Sequence, residues 1–213
     1  MFGLVGSGID EISKILYGAM YFNSGEIFLH GKKTELKDTH DAIEKGIYLV
    51  PGDRKAEGMI GNLEIAQNIT LAKLSRISGR SGLIDRKKEL SLAEGLKEKL
   101  SIATPDVFKK AGELSGGNQQ KVVIAKWLTR NCDILIFDEP TRGIDVGAKS
   151  EIYTLMNNLV KQGKSIIMIS SELTEVLRMS DRILIMCEGR KTGEISIEEA
   201  TQEKIMHAAT LRD

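Results

Sequence analysis

Two short stretches carry the residue types that could do chemistry. The first is Leu114-Ser115-Gly116-Gly117-Asn118-Gln119-Gln120-Lys121. A serine followed by two glycines lets backbone N–H groups approach a ligand closely. The apolar spacing that follows predicts a helix over residues 118–127, whose N-terminus would present unpaired N–H groups and a partial positive charge to an anion. The plainer reading, an ordinary Ser-capped helix start, fits Ser115 equally well when the stretch is taken alone. The second stretch is Ile134-Leu135-Ile136-Phe137-Asp138-Glu139-Pro140, four apolar residues ending in two acids. Carboxylates at the C-terminal end of a parallel strand sit where such sheets bind ligands. There Asp138 can hold Mg²⁺ and Glu139 can act as a base or orient a water. The alternative for Glu139 is a capping or salt-bridging acid that does no chemistry. Gly143-Ile144-Asp145 then forms a tight turn with one further carboxylate.

These residues need a scaffold, and the pattern around them describes one. Near the start, Gly3, Gly6, Ser7 and Gly8 make a glycine-rich loop with almost no strand before it, which reads as a chain cut from something longer. Helical spacing follows over residues 10–19, with Ile12, Ile15, Leu16 and Ala19 on one stripe. A short strand (25–29), a helix (38–45) closed by Gly46, and a strand (47–50) stopped by Pro51 complete the first third. Helical patterning dominates residues 62–129, and the charged amphipathic segment 85–100 reads as a solvated outer face over a small core. Strands at 133–137, 165–169, 183–187 and 191–195 then alternate with helices at 148–161, 172–179 and 197–209. Apolar strands alternating with helices imply a largely parallel sheet covered on both faces.

Composition sets the outer limits. The chain has 213 residues, 41% of them hydrophobic and 28% charged, with 30 basic and 30 acidic side chains and a formal net charge of +0. This is ordinary globular usage. Without a basic excess, binding nucleic acid through a broad positive face is disfavoured. No apolar run reaches the roughly 18–20 residues that span a bilayer. Cys132 and Cys187 have no metal-ligand spacing and read as buried, reduced packing residues. His30, His40 and His207 read as surface or turn residues, and Tyr17 and Tyr21 as packing residues.

In order and spacing, the motifs resemble those of the ATP-binding cassette ATPases. The family's signature motif matches Leu114 to Gln119, its Walker B motif Ile134 to Glu139, and its D-loop the turn at Gly143 to Asp145. Together with Ser170-Ser171-Glu172-Leu173 and Ala200-Thr201-Gln202-Glu203-Lys204-Ile205-Met206, they look like the second cassette of monosaccharide importers, fused double cassettes serving ribose, galactose or xylose. The tail is most similar to the ribose type. The resemblance implies an α/β, P-loop NTPase-like fold with its N-terminal strands truncated. One nucleotide-binding domain would span 1–213, its core at 1–61 and 130–213 and its helical subdomain at about 62–129.

The departures from the family pattern matter as much. A working phosphate loop carries Lys and then Ser or Thr after its last glycine, whereas Ile9 and Asp10 stand here. The family's Q-loop glutamine would fall near Pro51-Gly52-Asp53, where there is none, and its switch histidine at Ser171. An acid facing phosphate at about 4 Å costs roughly 4 kcal/mol at an effective dielectric of 20, before screening. In this family two cassettes sandwich ATP head to tail. The resemblance therefore implies that Ser115, Gly116 and Gly117, with Gln119 nearby, clamp ATP held by a second cassette. The chain's own site, at Gly3 to Asp10 with Asp138, Glu139, Asp145 and Ser171, would be weak or inert. ATP and Mg²⁺ are the implied ligands. A second cassette, membrane permease subunits and, indirectly, a sugar-binding protein are the implied partners, at the cytoplasmic face of the plasma membrane, with residues 52–68 toward the permease. A silent or truncated cassette is the alternative, and an ABC-type ATPase acting on nucleic acid is a weaker one.

Overall fold

The computed structural model describes residues 1–79 and 82–211. The chain packs as two compact units, residues 1–49, 133–140 and 165–213 in the first, and residues 50–132 and 141–164 in the second.

The first unit is built on strands. β1 (Phe2–Gly3), β7 (Arg182–Cys187) and β8 (Arg190–Ser196) form one sheet in the order β1-β7-β8, and β4 (Ile47–Val50), β5 (Ile134–Asp138) and β6 (Ser165–Ile169) form another in the order β4-β5-β6. A parallel bridge between Phe2 and Ser170 joins them. β5 and β6 run parallel, as do β1 and β7, so the ends of these strands gather loops on one edge. The antiparallel pairs are β7–β8 and a small hairpin, β2 (Ile27–Leu29) with β3 (Lys32–Thr34). Leu135, Ile136, Phe137 and Ile169 are fully buried, which is the reason these strands read as continuous apolar runs. Helices α1 (Ile9–Leu16) and α2 (Thr39–Glu44) belong to the same unit. Asp38 caps α2 by accepting from the Asp41 N–H at 2.8 Å.

The second unit is helical: α3 (Ile65–Thr70), α4 (Leu74–Ile77), α5 (Arg86–Lys99), α6 (Gly116–Leu128) and α7 (Val146–Lys161). Buried Val122, Val123 and Ile124 make α6 its central element. α7 packs on α6 through a stripe that includes Ile152, Leu155, Met156 and Leu159. α5 turns Ala93 and Leu96 inward together with Glu89, whose buried carboxylate accepts from Thr70 Oγ1 at 3.1 Å and from Arg86, so one charge of this face is drawn into the core and the rest stay outside. The remaining helices, α8 (Leu173–Met179) and α9 (Gln202–Ala209), return to the first unit.

The expected elements are present, with shifts at their ends. α6 begins at Gly116, so both glycines lie inside its first turn and do not form a loop ahead of it. α9 begins at Gln202, because residues 197–200 form a turn closed by the Glu199 and Ala200 N–H groups. In α1 the buried residues are Ile9 and Ser13, so the helix is rotated away from the Ile12–Ile15 stripe. Tyr17 packs on the core, but Tyr21 is 86% exposed and packs nothing. Cys132 and Cys187 are buried and form no disulfide, and all three histidines are exposed. Among the described residues, no helix is long and apolar enough to cross a membrane.

Candidate functional site

In the first unit the glycine-rich loop leads directly into α1. Gly6 and Gly8 have φ values of 82° and 87°, a left-handed backbone that favours glycine. Gly3 has no room for a side chain, since a Cβ there would lie 2.2 Å from Ser7 Oγ. The loop is pinned by the Ser7 N–H donating to Leu4 O and the Gly189 N–H donating to Ser7 O, both at 2.9 Å. Ser7 Oγ is buried without a hydrogen-bond partner, and no side chain caps α1. The backbone of this loop thus keeps donors and one hydroxyl available for an anion.

Its side chains do not match that backbone. Ile9, at the lysine position, is buried in the core cluster with Ala42, Ile47, Ile136 and Ile169. Asp10 is exposed on the first turn of α1. The strand-end acids are also engaged. Ser13 Oγ donates to Asp138 Oδ2 at 3.2 Å. Glu139 sits at φ 43°, a conformation uncommon for a non-glycine residue. It is held there because its N–H donates to Ile169 O at 2.9 Å and its Oε1 accepts from the Ser171 N–H at 2.8 Å. Ser171 therefore meets Glu139 through its backbone. Among the described residues no group of three His, Cys, Asp or Glu could hold a metal ion. A single carboxylate is an ordinary protein contribution to Mg²⁺ when phosphate oxygens and waters complete the shell, and Asp138 fits that part.

The second unit brings together Ser115, Gly116, Gly117, Gln119 and Asp145. Ser115 occupies the N-cap position of α6 in an extended conformation, and its Oγ accepts from Asn118 Nδ2 at 2.9 Å without capping the backbone. The first turn of α6 consequently keeps its N–H groups free of a side-chain cap. Gly117 is forced by packing, since a Cβ there would lie 2.7 Å from Ala148 Cβ. Asp145 is the N-cap of α7 and accepts from the Ala148 N–H at 2.9 Å. An open hollow of about 960 Å³ lies over this face, lined by residues that include Ser115, Gly117, Asn118, Lys121, Asp145 and Glu151. Lys121 Nζ bridges Ser101 O at 2.7 Å and Glu151 Oε2 at 2.8 Å.

Gln119 lies away from this open face. It is 3% exposed, and its Nε2 donates to Gly112 O and Leu114 O at 3.2 and 3.0 Å. Its Oε1 accepts from Arg54 Nε at 3.2 Å, and Arg54 is a residue that sequence reasoning missed. Arg54 opens a single π turn, Arg54–Gly58, started by Asp53 Oδ1 accepting from the Lys55 and Ala56 N–H groups. Its other two nitrogens donate to Arg142 O at 2.7 Å and Gly143 O at 3.2 Å. Burial pushes the guanidinium pKa down and nearby Asp53 pulls it up, but a guanidinium remains charged. The only clue in the sequence is an arginine among turn formers, directly after Pro51-Gly52-Asp53, near which the family's glutamine would fall. At the far end of the turn, Lys126 Nζ donates to Gly58 O at 2.7 Å. Desolvation lowers the Lys126 pKa to about 8.

Comparison with known proteins fits this arrangement. Residues 1–142 match the family model described as ABC transporter. The chain is 51% identical over 211 residues to a putative ribose/galactose/methyl galactoside import ATP-binding protein 3 of Burkholderia ambifaria, covering 99% of this chain and 41% of the relative. It is 53% identical over 209 residues to the xylose import ATP-binding protein XylG of Moorella thermoacetica, covering 98% and 41%. The chain thus spans about two fifths of the length of these curated relatives. The structure of MJ1267, an ATP-binding cassette of an ABC transporter, superposes with a TM-score of 0.82 at 20% identity, covering 97% of this chain and 85% of that one, which speaks to the fold. With the family model matching two thirds of its length and the motif-bearing elements in place, the chain belongs to the ABC transporter family of ATP-binding cassettes.

Proposed function

We propose that this chain is the degenerate cassette of a carbohydrate import system, for ribose or a related monosaccharide, and that it supplies its signature turn in trans to ATP held by a second cassette. One observation carries the reading. Ser115 and Gly117 of the signature turn line an open hollow, while the residue at the phosphate-lysine position, Ile9, is built into the core. One region is kept for a ligand and the other has lost its charge partner for one. The N–H groups of the first turn of α6, with Ser115, would contact the terminal phosphate of the partner's ATP.

In the chain's own site, ATP would meet the Gly6–Gly8 backbone and Ser7 without a lysine, and would face Asp10. Mg²⁺, when present, would be held by Asp138 and would neutralise phosphate charge. Glu139, the candidate base, is occupied by the Ser171 N–H. We place the whole chain in one nucleotide-binding domain with a helical subdomain at about 62–129. In this reading it works on the cytoplasmic face of the plasma membrane with permease subunits, residues 52–68 facing them, and indirectly with a sugar-binding protein. A net charge of +0 argues against nucleic acid as the partner.

A catalytically silent cassette is the second reading, favoured by the burial of Ile9 and the engagement of Glu139. ATPase assays separate the two. The purified chain alone is expected to hydrolyse ATP slowly. Mixed with an intact cassette carrying a Gly-Lys-Ser/Thr loop, it is expected to stimulate hydrolysis. Rapid hydrolysis by the chain alone defeats the trans reading, and no stimulation in the mixture favours the silent one.

A further inference from the structure

The turn that ends in Asp145 and the first turn of α6 are separate segments of the chain, yet they meet around one side chain. Arg54 is 9% exposed and donates from Nε and both terminal nitrogens. None of the three acceptors is a carboxylate. The nearby Asp53 carboxylate favours the charge, but every direct hydrogen bond of the cation goes to a neutral oxygen, which repays its desolvation only in part. A planar fork with fixed donor directions is, however, a good way to fix the distance between two backbones.

Gly116 shows how tight the arrangement is. A Cβ there would lie 2.6 Å from the Arg54 Nη2 atom and 2.9 Å from Gly143 O. The glycine at this position is thus required by the arginine and the carbonyl behind it, independently of any ligand in front. The π turn that presents Arg54 is itself anchored to α6 at its other end. Lys126 holds Gly58 O, and a Cβ on Gly58 would lie 2.9 Å from Val123 Cγ2. π turns are rare and recur at functional positions.

We propose that Arg54 is a positioning residue for the signature turn: it ties Arg142 and Gly143 to Gln119, and so sets the first turn of α6 against the turn that leads into Asp145. The inference deepens the function proposed above and rests on it for its kinetic half alone.

The test uses the full chain as wild type, Arg54→Met and Arg54→Lys, with two readouts. Hydrogen exchange requires no nucleotide. In Arg54→Met the hydrogen-bonded amides of Gln119 (to Ser115 O) and Ile144 (to Thr141 O) are expected to exchange about 10- to 100-fold faster, the loss of a buried charge-assisted bond set, while those of β5 and β6 stay unchanged. Arg54→Lys, which can reach some of the acceptors but not span all three, is expected to fall between. Unchanged exchange at Gln119 and Ile144, or an equal rise in β5 and β6, overturns the tie.

The second readout is ATP hydrolysis by each variant mixed with an intact cassette. Arg54→Met is expected to lower kcat about tenfold or more with KM for ATP within about twofold, and Arg54→Lys to recover part of it, since Arg54 is buried and does not line the hollow in front of the turn. A local rise in exchange with kcat unchanged overturns the positioning role. A wild-type mixture that shows no stimulation overturns the function proposed above, and exchange still decides whether Arg54 makes the tie.

Discussion

The glycine-rich loop before α1 and the serine-glycine turn that opens α6 have similar chemistry on paper and different fates in the fold. In the first, the side chains suited to catalysis have been drawn into structure. Ile9 fills the core, Ser13 holds Asp138, and the Ser171 N–H holds Glu139. In the second, the structural demands are met from behind, by Arg54 and Gln119, and the front remains open. A loop can therefore keep its backbone while its neighbouring side chains are committed to the fold: the glycines of the first loop still adopt left-handed angles suited to a phosphate. What separates the regions is whether the polar groups are committed to the protein or kept for a ligand.

The largest expected effect comes from filling the open face. Gly117→Asp places a carboxylate toward the phosphate position, and about 4 kcal/mol of repulsion at 4 Å before screening corresponds to a loss of at least about 100-fold in hydrolysis by the mixed pair. The substitution also crowds Ala148 Cβ, which lies 2.7 Å from the added carbon. Gly117→Asn shares the crowding and lacks the charge, so it is expected to retain clearly more activity. Equal losses in the two variants would assign the effect to packing, and unchanged activity in Gly117→Asp would remove this turn from the mechanism.

Restoring the missing lysine probes the other side of the comparison. Ile9→Lys moves an ammonium into a site lined by Ala42, Ile47, Ile136 and Ile169, and burial of that kind costs about 3 kcal/mol at neutral pH. The denaturation midpoint should fall accordingly, and calorimetry with ATP should show no tight site in the isolated chain. A stable variant that binds ATP tightly would mean that the lysine reaches phosphate, and that Ile9 is no fixed part of the core.

Lys126 measures what the rear support of α6 costs. Its folded pKa of about 8 lies below the ordinary 10.5, so burial of the charge opposes folding at pH 7. Between these values the unfolded chain binds more protons, and this residue makes stability rise with pH through that window. Lys126→Met lacks the term. The gap in unfolding free energy between wild type and variant should therefore shift by roughly 2–3 kcal/mol in favour of wild type from pH 7 to pH 10, read from denaturant curves at each pH. A gap that does not change with pH would mean that the ammonium is solvated and that Gly58 O is held by some weaker contact.

These residues also show what could be read from sequence. The strands were legible because Leu135, Ile136 and Phe137 are buried on both faces, which leaves a continuous apolar run. The departures at Ile9 and Asp10 were legible as well, because they break a known spacing. The fate of Ile9 was not, since an apolar residue after a glycine loop carries no mark of which way it turns. Gln119 looked like a residue beside the ligand, and its burial follows from a facing that depends on Arg54, 65 positions away. Arg54 itself was hidden because a π turn has no hydrophobic period, and a lone arginine in a loop looks solvated. The start of α6 was misjudged by two residues because glycine is a weak helix former, and packing on Ala148 and Gly143 overrides that preference.

The smallest effect is the sharpest test of the comparison. Glu139→Gln keeps an oxygen to accept from the Ser171 N–H and removes only the charge. If the carboxylate serves the fold, stability should change by less than about 1 kcal/mol, the scale of one hydrogen bond weakened but not lost. If the chain's own site contributes little, hydrolysis by the mixed pair should fall by less than about threefold, because a general base is worth about 100-fold or more where it works. A tenfold fall with stability unchanged would show that Glu139 acts on water despite its bond to Ser171. The contrast between a committed region and an open one would then narrow to the positions of Ile9 and Asp10, and the loop before α1 would count as a slow site with its base intact.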